Sequence, residues 1–515
     1  MGFQQEDRLL LYRSLLYTFF LGLTAHGFIF FNLSISHDAV FNFYNSYSAH
    51  AHQIGLGRPL EPLYREMTGS GILMPWSMGL IAFFWLGLAV FLVCVLLRLT
   101  GRMEVLLTAG IMTVNISVTA VGAAYMPWLA ADMFALLLAA AAVYFWHTYE
   151  NCRQKRWLMA GALAVCCSLA IYQCYIAVTA VLMILISMQR LTEGEYPARV
   201  FGNGMAGIGM IGVGGLFYYI LTKVVCGLVE ISLIEGEYDS VTNLWDYQEP
   251  VIKRLTACLK EAATHFFAKD ESIYPYPVVW AVNAILIFLC FYFLLRVLRK
   301  GEYGQERTGT TNRLMIVLLA AALPFAAYMM RLLNTDVHDL MVYALWLLYL
   351  LPVLLWKMSA RETTADRRVH CLVLSLLSFL IFEDIQTDNA VYVKKRVEAE
   401  ATLSLMTEIM AQVEGTEGYV PGETPVTFVG DVSEIIQEVP GTDRIKGISG
   451  CNKSSAITYK GTYQAYFDNV MLREIKVVWE NELENLPKEK IDQMPDYPQE
   501  GYVENMNGVV VVKLN

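Results

Sequence analysis

Charge is scarce in this chain. Asp, Glu, Lys and Arg make up 17% of its 515 residues, where a soluble protein of this size carries roughly 25%. There is no polybasic tail or basic patch of the kind that neutralises nucleic-acid phosphates. The ten cysteines are scattered, mostly inside apolar runs, and no CxxC or Cys/His cluster has metal spacing. One disulfide is conceivable, Cys226–Cys258 across an exposed loop. No P-loop, GxSxG or dinucleotide fingerprint occurs, and there is no internal repeat or low-complexity tract. The net charge of -10 says little as a sum, because the charges are segregated along the chain.

What the chain has in abundance is apolar sequence. It is 56% hydrophobic with a mean hydropathy of +0.43, and the apolar residues come in blocks. Runs of about 18 or more imply membrane-spanning helices. Eleven are expected, at 15–33, 74–97, 103–122, 128–147, 157–171, 173–188, 201–222, 277–295, 314–332, 341–356 and 369–387. The first is too long for a signal-peptide core and lacks a convincing A-x-A site, so it reads as a retained helix. The stretch from Trp157 to Met188 would be about 48 Å long as one helix, against a hydrocarbon core of about 30 Å. Tyr172-Gln173 is the natural place for it to turn.

With the N-terminus on the cytoplasmic side, the inner segments hold eighteen Lys and Arg and the outer loops eight, which the positive-inside rule favours. Merging the two middle spans would send the basic "RVLRK" and "ADRR" segments outside. The outer face then carries two long loops, 34–73 and 223–276, and everything after Asp388. Composition shifts sharply there. Residues 389–515 are polar, with a helical start (Val391 to Val413), strand signals in "TPVTFVGD", a turn at Gly430-Asp431, a helix running into a strand in "YQAYFDNVMLREIKVV", and a terminal strand in "GVVVVKL". The expected architecture is a polytopic α-helical membrane domain over 1–388 and a small extracytoplasmic α/β domain over 389–515, large enough for its own core.

The candidate chemistry lies at the outer surface. His37 and Asp38 follow the first span directly. A carboxylate there can act as a general base or charge stabiliser at a sugar carbon, or simply cap a helix beginning in "SHDAV". His37 can tune Asp38 or contact phosphate, or be solvated. Arg58 and Arg65 in "IGLGRPLEPLYREM" present planar forks suited to a lipid phosphate, or anchor the chain at the headgroups. Arg58 is the better placed, with Gly57 and Pro59 holding its backbone and Glu61 alone nearby to neutralise it. Asp132 lies inside an apolar span, where an ionisable group is costly and defaults to function; the alternative is a carboxylate reaching outer water. Gln53, Tyr172 and Gln173 complete the substrate-binding candidates, the last two equally able to cap their turn. Three signals are weak. "NTDVHDL" (Asp336, His338, Asp339) superficially resembles a metal cluster, and His50/His52 have i,i+2 spacing. Gly212, Gly214 and Gly215 read as helix-packing positions.

The segments "NLSISHDAVFNFYN", "HQIGLGRPLEPLYREMTGSGILMPWSMGLIAFFWLGLAVFLVCVLL", "MPWLAADMFALLLAAAAVYF" and "LAIYQCYIAVTAVLMILI", in that order and spacing, resemble the glucosyl transferase II family of bacterial and phage membrane proteins. The resemblance extends to the tail ending "MPDYPQEGYVENMNGVVVVKLN". It implies a multi-pass glycosyltransferase of GT-C architecture in the bacterial cell membrane. Such an enzyme uses a polyprenyl-phosphate sugar, commonly undecaprenyl-phosphate glucose, and adds the sugar to a cell-surface glycan on the outer face. A donor-synthesising glycosyltransferase and a flippase would be its partners. Asp38 occupies the family's acidic position in the first outer loop. Many relatives of this architecture carry two adjacent acidic residues there, and here the neighbour is His37. Asp132 matches a second acidic position. A lipid monophosphate can leave against arginine alone, so no metal or cofactor is called for. The competing classes are a transporter or flippase of a lipid-linked sugar, which needs midplane polar residues and repeated halves, and a membrane-anchored scaffold or sensor for envelope assembly working through the tail. An enzyme needs Asp38, Arg58 and Asp132 around one outward cavity.

Overall fold

The computed structural model describes residues 5–32, 35–44, 47–68, 72–235, 249–267, 277–303, 309–334, 336–359, 363–451, 455–479 and 486–515. Parts of both long loops, 33–34, 45–46, 69–71, 236–248 and 268–276, lie outside them, as do Lys269, Arg307 and Arg361 of the charge comparison.

The first apolar run forms α1 (Gln5–Phe31). The loop after it folds as α2 (His37–Phe41), α3 (Tyr47–Gly55) and α4 (Leu60–Met67). Then come α5 (Pro75–Leu97), α6 (Arg102–Thr113), α7 (Ile116–Ala124), α8 (Leu129–Cys152), α9 (Lys155–Ile171), α10 (Ile176–Thr192) and α11 (Pro197–Val229). Helices Val251–Phe267, Pro277–Tyr303 and Thr310–Ala327 follow, then a 3-10 stretch Asp339–Leu350 running into Leu351–Ser359, and a terminal helix Thr364–Gly415. Among the described residues nine helices are long and apolar enough to cross a membrane, or ten if the bent α6–α7 pair is one span. The remaining expected span is α9, whose 17 residues reach about 25 Å. The chain is therefore a multi-pass membrane protein.

Local chemistry explains the breaks. Asn115 bridges the α6–α7 bend. Its amide donates to the Ile111 and Met112 carbonyls that end α6, and its oxygen accepts from Val118 N at 3.1 Å to start α7. Tyr172, in extended conformation (φ -153, ψ 120), ends α9, and a 3-10 turn Gln173–Tyr175 begins the next helix. The turn expected here exists, but the helices separate after it: α9 packs between α8 and α11, while α10 packs on Thr310–Ala327. Small residues set the closest helix approaches. A Cβ on Gly22 would meet the Phe83 ring at 2.6 Å, and one on Gly214 would meet the Ala162 carbonyl at 2.7 Å. Gly212 and Gly215, by contrast, face open space. Cys226 and Cys258 do not form a disulfide; each is a buried free thiol, close to the Ile54 and Tyr328 carbonyls respectively.

The spanning bundle holds a buried polar network. His26 Nδ1 lies 2.7 Å from the Tyr392 hydroxyl and Nε2 2.9 Å from the Thr113 carbonyl, while Thr119 donates to Asp388. Asp388 sits in the middle of the 52-residue helix Thr364–Gly415, so the span expected at 369–387 and the helix expected at Val391–Val413 are one unbroken element.

Beyond that helix is a four-stranded sheet of β1 (Pro425–Val429), β2 (Lys476–Val477), β3 (Val503–Met506) and β4 (Val509–Lys513), in the order β2-β1-β4-β3. β1 runs parallel to β2 and β4, and β3–β4 is an antiparallel pair. Leu405, Met406, Ile409 and Met410 of the long helix share a core with Val426, Phe428, Val510 and Val512 of the sheet. Val40 of α2 belongs to this same core, so the first loop is built into the C-terminal unit. Two further ties join the parts: Ser449 N donates to Asp339 Oδ2 at 2.8 Å, and Lys394, paired with Glu398 at 2.7 Å, donates to the Cys451 carbonyl. Asp339 of the "NTDVHDL" cluster is thus committed to this seam.

Candidate active site

The cap of α2 is Ser36, not Asp38. The Ser36 hydroxyl accepts from Ala39 N at 3.0 Å and donates to the Ala124 carbonyl at the end of α7. Asp38 therefore sits in the first turn, where a carboxylate complements the helix dipole. Its Oδ2 lies 2.9 Å from His37 Nε2, and both side chains are about one quarter exposed (28% and 24%). The α2 helix is held in a seam. On its far side Phe41 stacks on Tyr459 at 5.8 Å, and Asn469 donates to the Val40 carbonyl at 2.7 Å.

The α3–α4 turn presents Arg58. Gly57 adopts φ 80, a left-handed conformation that costs other residues a Cβ clash. Its carbonyl accepts from the Tyr218 hydroxyl at 2.8 Å and from Gln173 Nε2 at 3.2 Å. Arg58 Nη1 donates to Gln53 Oε1 at 3.2 Å, Nε donates to Gln173 Oε1 at 3.4 Å, and the guanidinium lies 4.8 Å from the Tyr172 ring centre. Gln53, Tyr172 and Gln173 thus form a frame for Arg58. Both amides are neutral, so these two bonds orient the fork without cancelling its charge.

Arg58 opens onto a cleft of about 430 Å³ including its mouth, walled by Gln53, Glu61, Tyr125, Trp128, Asp132, Tyr172 and Met341. Two carboxylates are buried there, Glu61 at 1% and Asp132 at 5% exposure. Asp132 projects from the first turn of α8. Burial pushes Glu61 up to about 7, against the opposing pull of Arg65 and Arg58. Arg65 stands behind this wall. Its Nε is 3.8 Å from Glu61 Oε1, and its Nη atoms reach the Asn42 side chain and carbonyl at 3.5 Å. Asn42 in turn donates to the Asp38 carbonyl at 3.0 Å. A continuous chain of polar contacts therefore runs from the Asp38 helix to the cleft wall.

Residues 27–382, more than two thirds of the chain, match the profile of the glucosyl transferase GtrII family. The chain belongs to that family. No curated protein sequence matches it. Among solved structures it is similar to the archaeal oligosaccharyltransferase AglB from Archaeoglobus fulgidus, in complex with an inhibitory peptide and a dolichol-phosphate. That alignment has 13% identity and a TM-score of 0.32, and covers 93% of this chain and 70% of that one.

In this GtrII-family chain the expected residues fall into two groups. Arg58, Asp132, Gln53 and Tyr172 line one cleft, and Gln173 braces it from behind. His37 and Asp38 stand outside the cleft lining, in the seam with the C-terminal unit. Glu61 is a cleft residue that the sequence alone marks only as a neutraliser of Arg58. A signal was present: Glu61 and Arg65 are an i,i+4 pair on the buried face of α4, and charges are almost never fully buried unless paired.

Proposed function

We propose that this protein is a membrane glycosyltransferase of GT-C type. It moves glucose from a polyprenyl-phosphate donor to a cell-surface glycan on the extracytoplasmic face, which carries the cleft and the C-terminal unit. The observation that carries this reading is Arg58, oriented by two neutral amides in the lining of a cleft holding two buried carboxylates. The phosphodiester of such a donor, and the phosphate monoester it leaves as, suit a planar cationic fork, and a sugar needs fixed acceptors for its hydroxyls. In the reaction, an acceptor hydroxyl attacks the anomeric carbon as the bond to the phosphate oxygen breaks. The polyprenyl phosphate leaves with the bonding electrons, its charge borne by Arg58, and configuration inverts. Asp38, 2.9 Å from His37, does not line the cleft, so in this reading the acceptor enters from the seam beside the cleft and its hydroxyl proton passes to Asp38 there. Asp132 and Glu61 orient the donor sugar.

The test is incubation of the purified protein with undecaprenyl-phosphate glucose and surface glycan from the host. Glucose should become covalently attached to the glycan, and Arg58→Ala should sharply reduce the incorporation at limiting donor. Movement of the intact lipid-linked sugar between vesicle leaflets with no attachment would instead make the protein a transporter.

A further inference from the structure

At the carboxyl end of β1 the chain turns through Gly430 (φ 97) into Asp431. A pocket of about 670 Å³, counting the open space at its mouth, lies there, with Asp431, Tyr459, Lys460, Tyr463 and Trp479 around a floor at Phe428. Its place fits the general rule that ligands sit beyond the carboxyl ends of parallel strands.

The chemistry of the lining narrows the ligand. Tyr463 lies on Phe428 at 4.5 Å and meets Trp479 edge-on at 5.5 Å and 71°. Tyr459 is half exposed and rests on Phe41 at its other face. Tyr463 is buried and serves as backing, so Tyr459 and the partly exposed Trp479 are the aromatic surfaces at the wet rim that can take the flat C–H side of a pyranose. Among them stand one carboxylate and one ammonium. Asp431 is fixed in place by accepting from Ser433 N at 2.8 Å, and Lys460 Nζ lies 5.1 Å from the Trp479 ring centre. Charges of both signs in one pocket suit hydroxyl groups, which donate to one and accept from the other. They do not suit a polyanion, which Asp431 would repel, or a lipid tail, which would desolvate both charges without return.

We propose that this pocket binds a neutral segment of the glycan acceptor and presents the chain to α2. The link to the reacting region is direct: Tyr459 on the pocket rim stacks on Phe41, three residues beyond Asp38. Naming the ligand an acceptor rests on the glycosyltransferase reading; that the pocket binds sugar does not.

The experiment titrates the full-length protein in detergent with maltopentaose, cellopentaose, a rhamnose tetrasaccharide and neutral glycan fragments from the host, read by saturation-transfer NMR. At least one should bind. Asp431→Asn, which keeps the side chain's shape, and Trp479→Ala should each weaken that binding about tenfold. Trp479→Phe should keep most of it, and Tyr196→Ala, an exposed aromatic elsewhere, should change nothing. Failure of every sugar to bind, or binding indifferent to both pocket variants, overturns the inference. In transfer assays Asp431→Asn should raise KM for the polymeric acceptor with kcat held; an unchanged KM overturns the acceptor assignment. If the wild type transfers nothing, the glycosyltransferase reading fails, while the titration still decides whether the pocket takes sugar.

Discussion

Arg58 and Gln173 are 115 positions apart in the chain and bonded to each other in the wall of the cleft. Gln173 also holds the Leu56 and Gly57 carbonyls at 3.2 Å, so one side chain sets both the turn carrying Arg58 and the direction in which its fork points.

Arg58→Ala should therefore weaken the donor, not the fold. A hydrogen bond to a charged group contributes about 1.5–3 kcal/mol, so undecaprenyl-phosphate glucose affinity should fall roughly 10- to 150-fold. Arg58→Lys should recover only part, since a point charge cannot reproduce two parallel bonds. Donor affinity that is untouched by Arg58→Ala would reduce Arg58 to an interface anchor. Isothermal titration in nanodiscs measures it.

Asp38→Asn tests the base. Ser36 does the capping, so this substitution should leave thermal stability near wild type while turnover falls about 10²–10⁴-fold, the usual contribution of a general base. Ser36→Ala, in contrast, should cost about 1 kcal/mol of stability. Wild-type turnover in Asp38→Asn would falsify the assignment and move it to the cleft carboxylates, Asp132 first.

Glu61 should write a pH dependence into stability. Its folded value of about 7 lies above the ordinary 4.5, and burial is the main cause. The folded protein thus binds the extra proton more tightly than the unfolded chain does. The stability that proton confers is fully present below pH 4.5 and is lost as pH rises through about 7. Glu61→Gln mimics the protonated form and should flatten that part of a Tm-versus-pH curve. The difference between the two curves isolates Glu61 from other titrating groups. Parallel curves would mean the carboxyl is ionised throughout.

Topology is open to single-cysteine labelling in a background lacking native cysteines. Glu489→Cys, exposed on the C-terminal unit, should react with an impermeant maleimide in intact cells. Gln154→Cys, exposed between α8 and α9, should react only after permeabilisation. The reverse pattern would invert the chain and put the cleft on the cytoplasmic side.

The spans were legible in the sequence because apolar length is a one-dimensional signal, and the break at Tyr172 was legible because the bilayer limits helix length. Arg58 stood out for a local reason, its place between Gly57 and Pro59. What the sequence concealed was pairing at a distance. Nothing near Gln173 says that it braces residue 58, and nothing near Val40 says that it enters a core made by residues four hundred positions later. Two other features are written locally. Ser36 precedes "HDAV" by one residue and is as good a cap as Asp38. The run from Thr364 to Glu414 contains no proline or glycine, so nothing local would end the helix where composition changes at Asp388.

That unbroken helix has a mechanical meaning. Its 52 residues make a rod about 78 Å long, begun inside the bundle and finished beneath the sheet. A rod couples height to angle: inserting one alanine past Asp388 would lift whatever it carries by about 1.5 Å and turn it by about 100°. Between the ends of that rod, α2 is gripped from both sides and can follow only one of them. The register of the rod therefore behaves like the phase of a gear, in which the sheet and the cleft mesh at one setting and miss at the next.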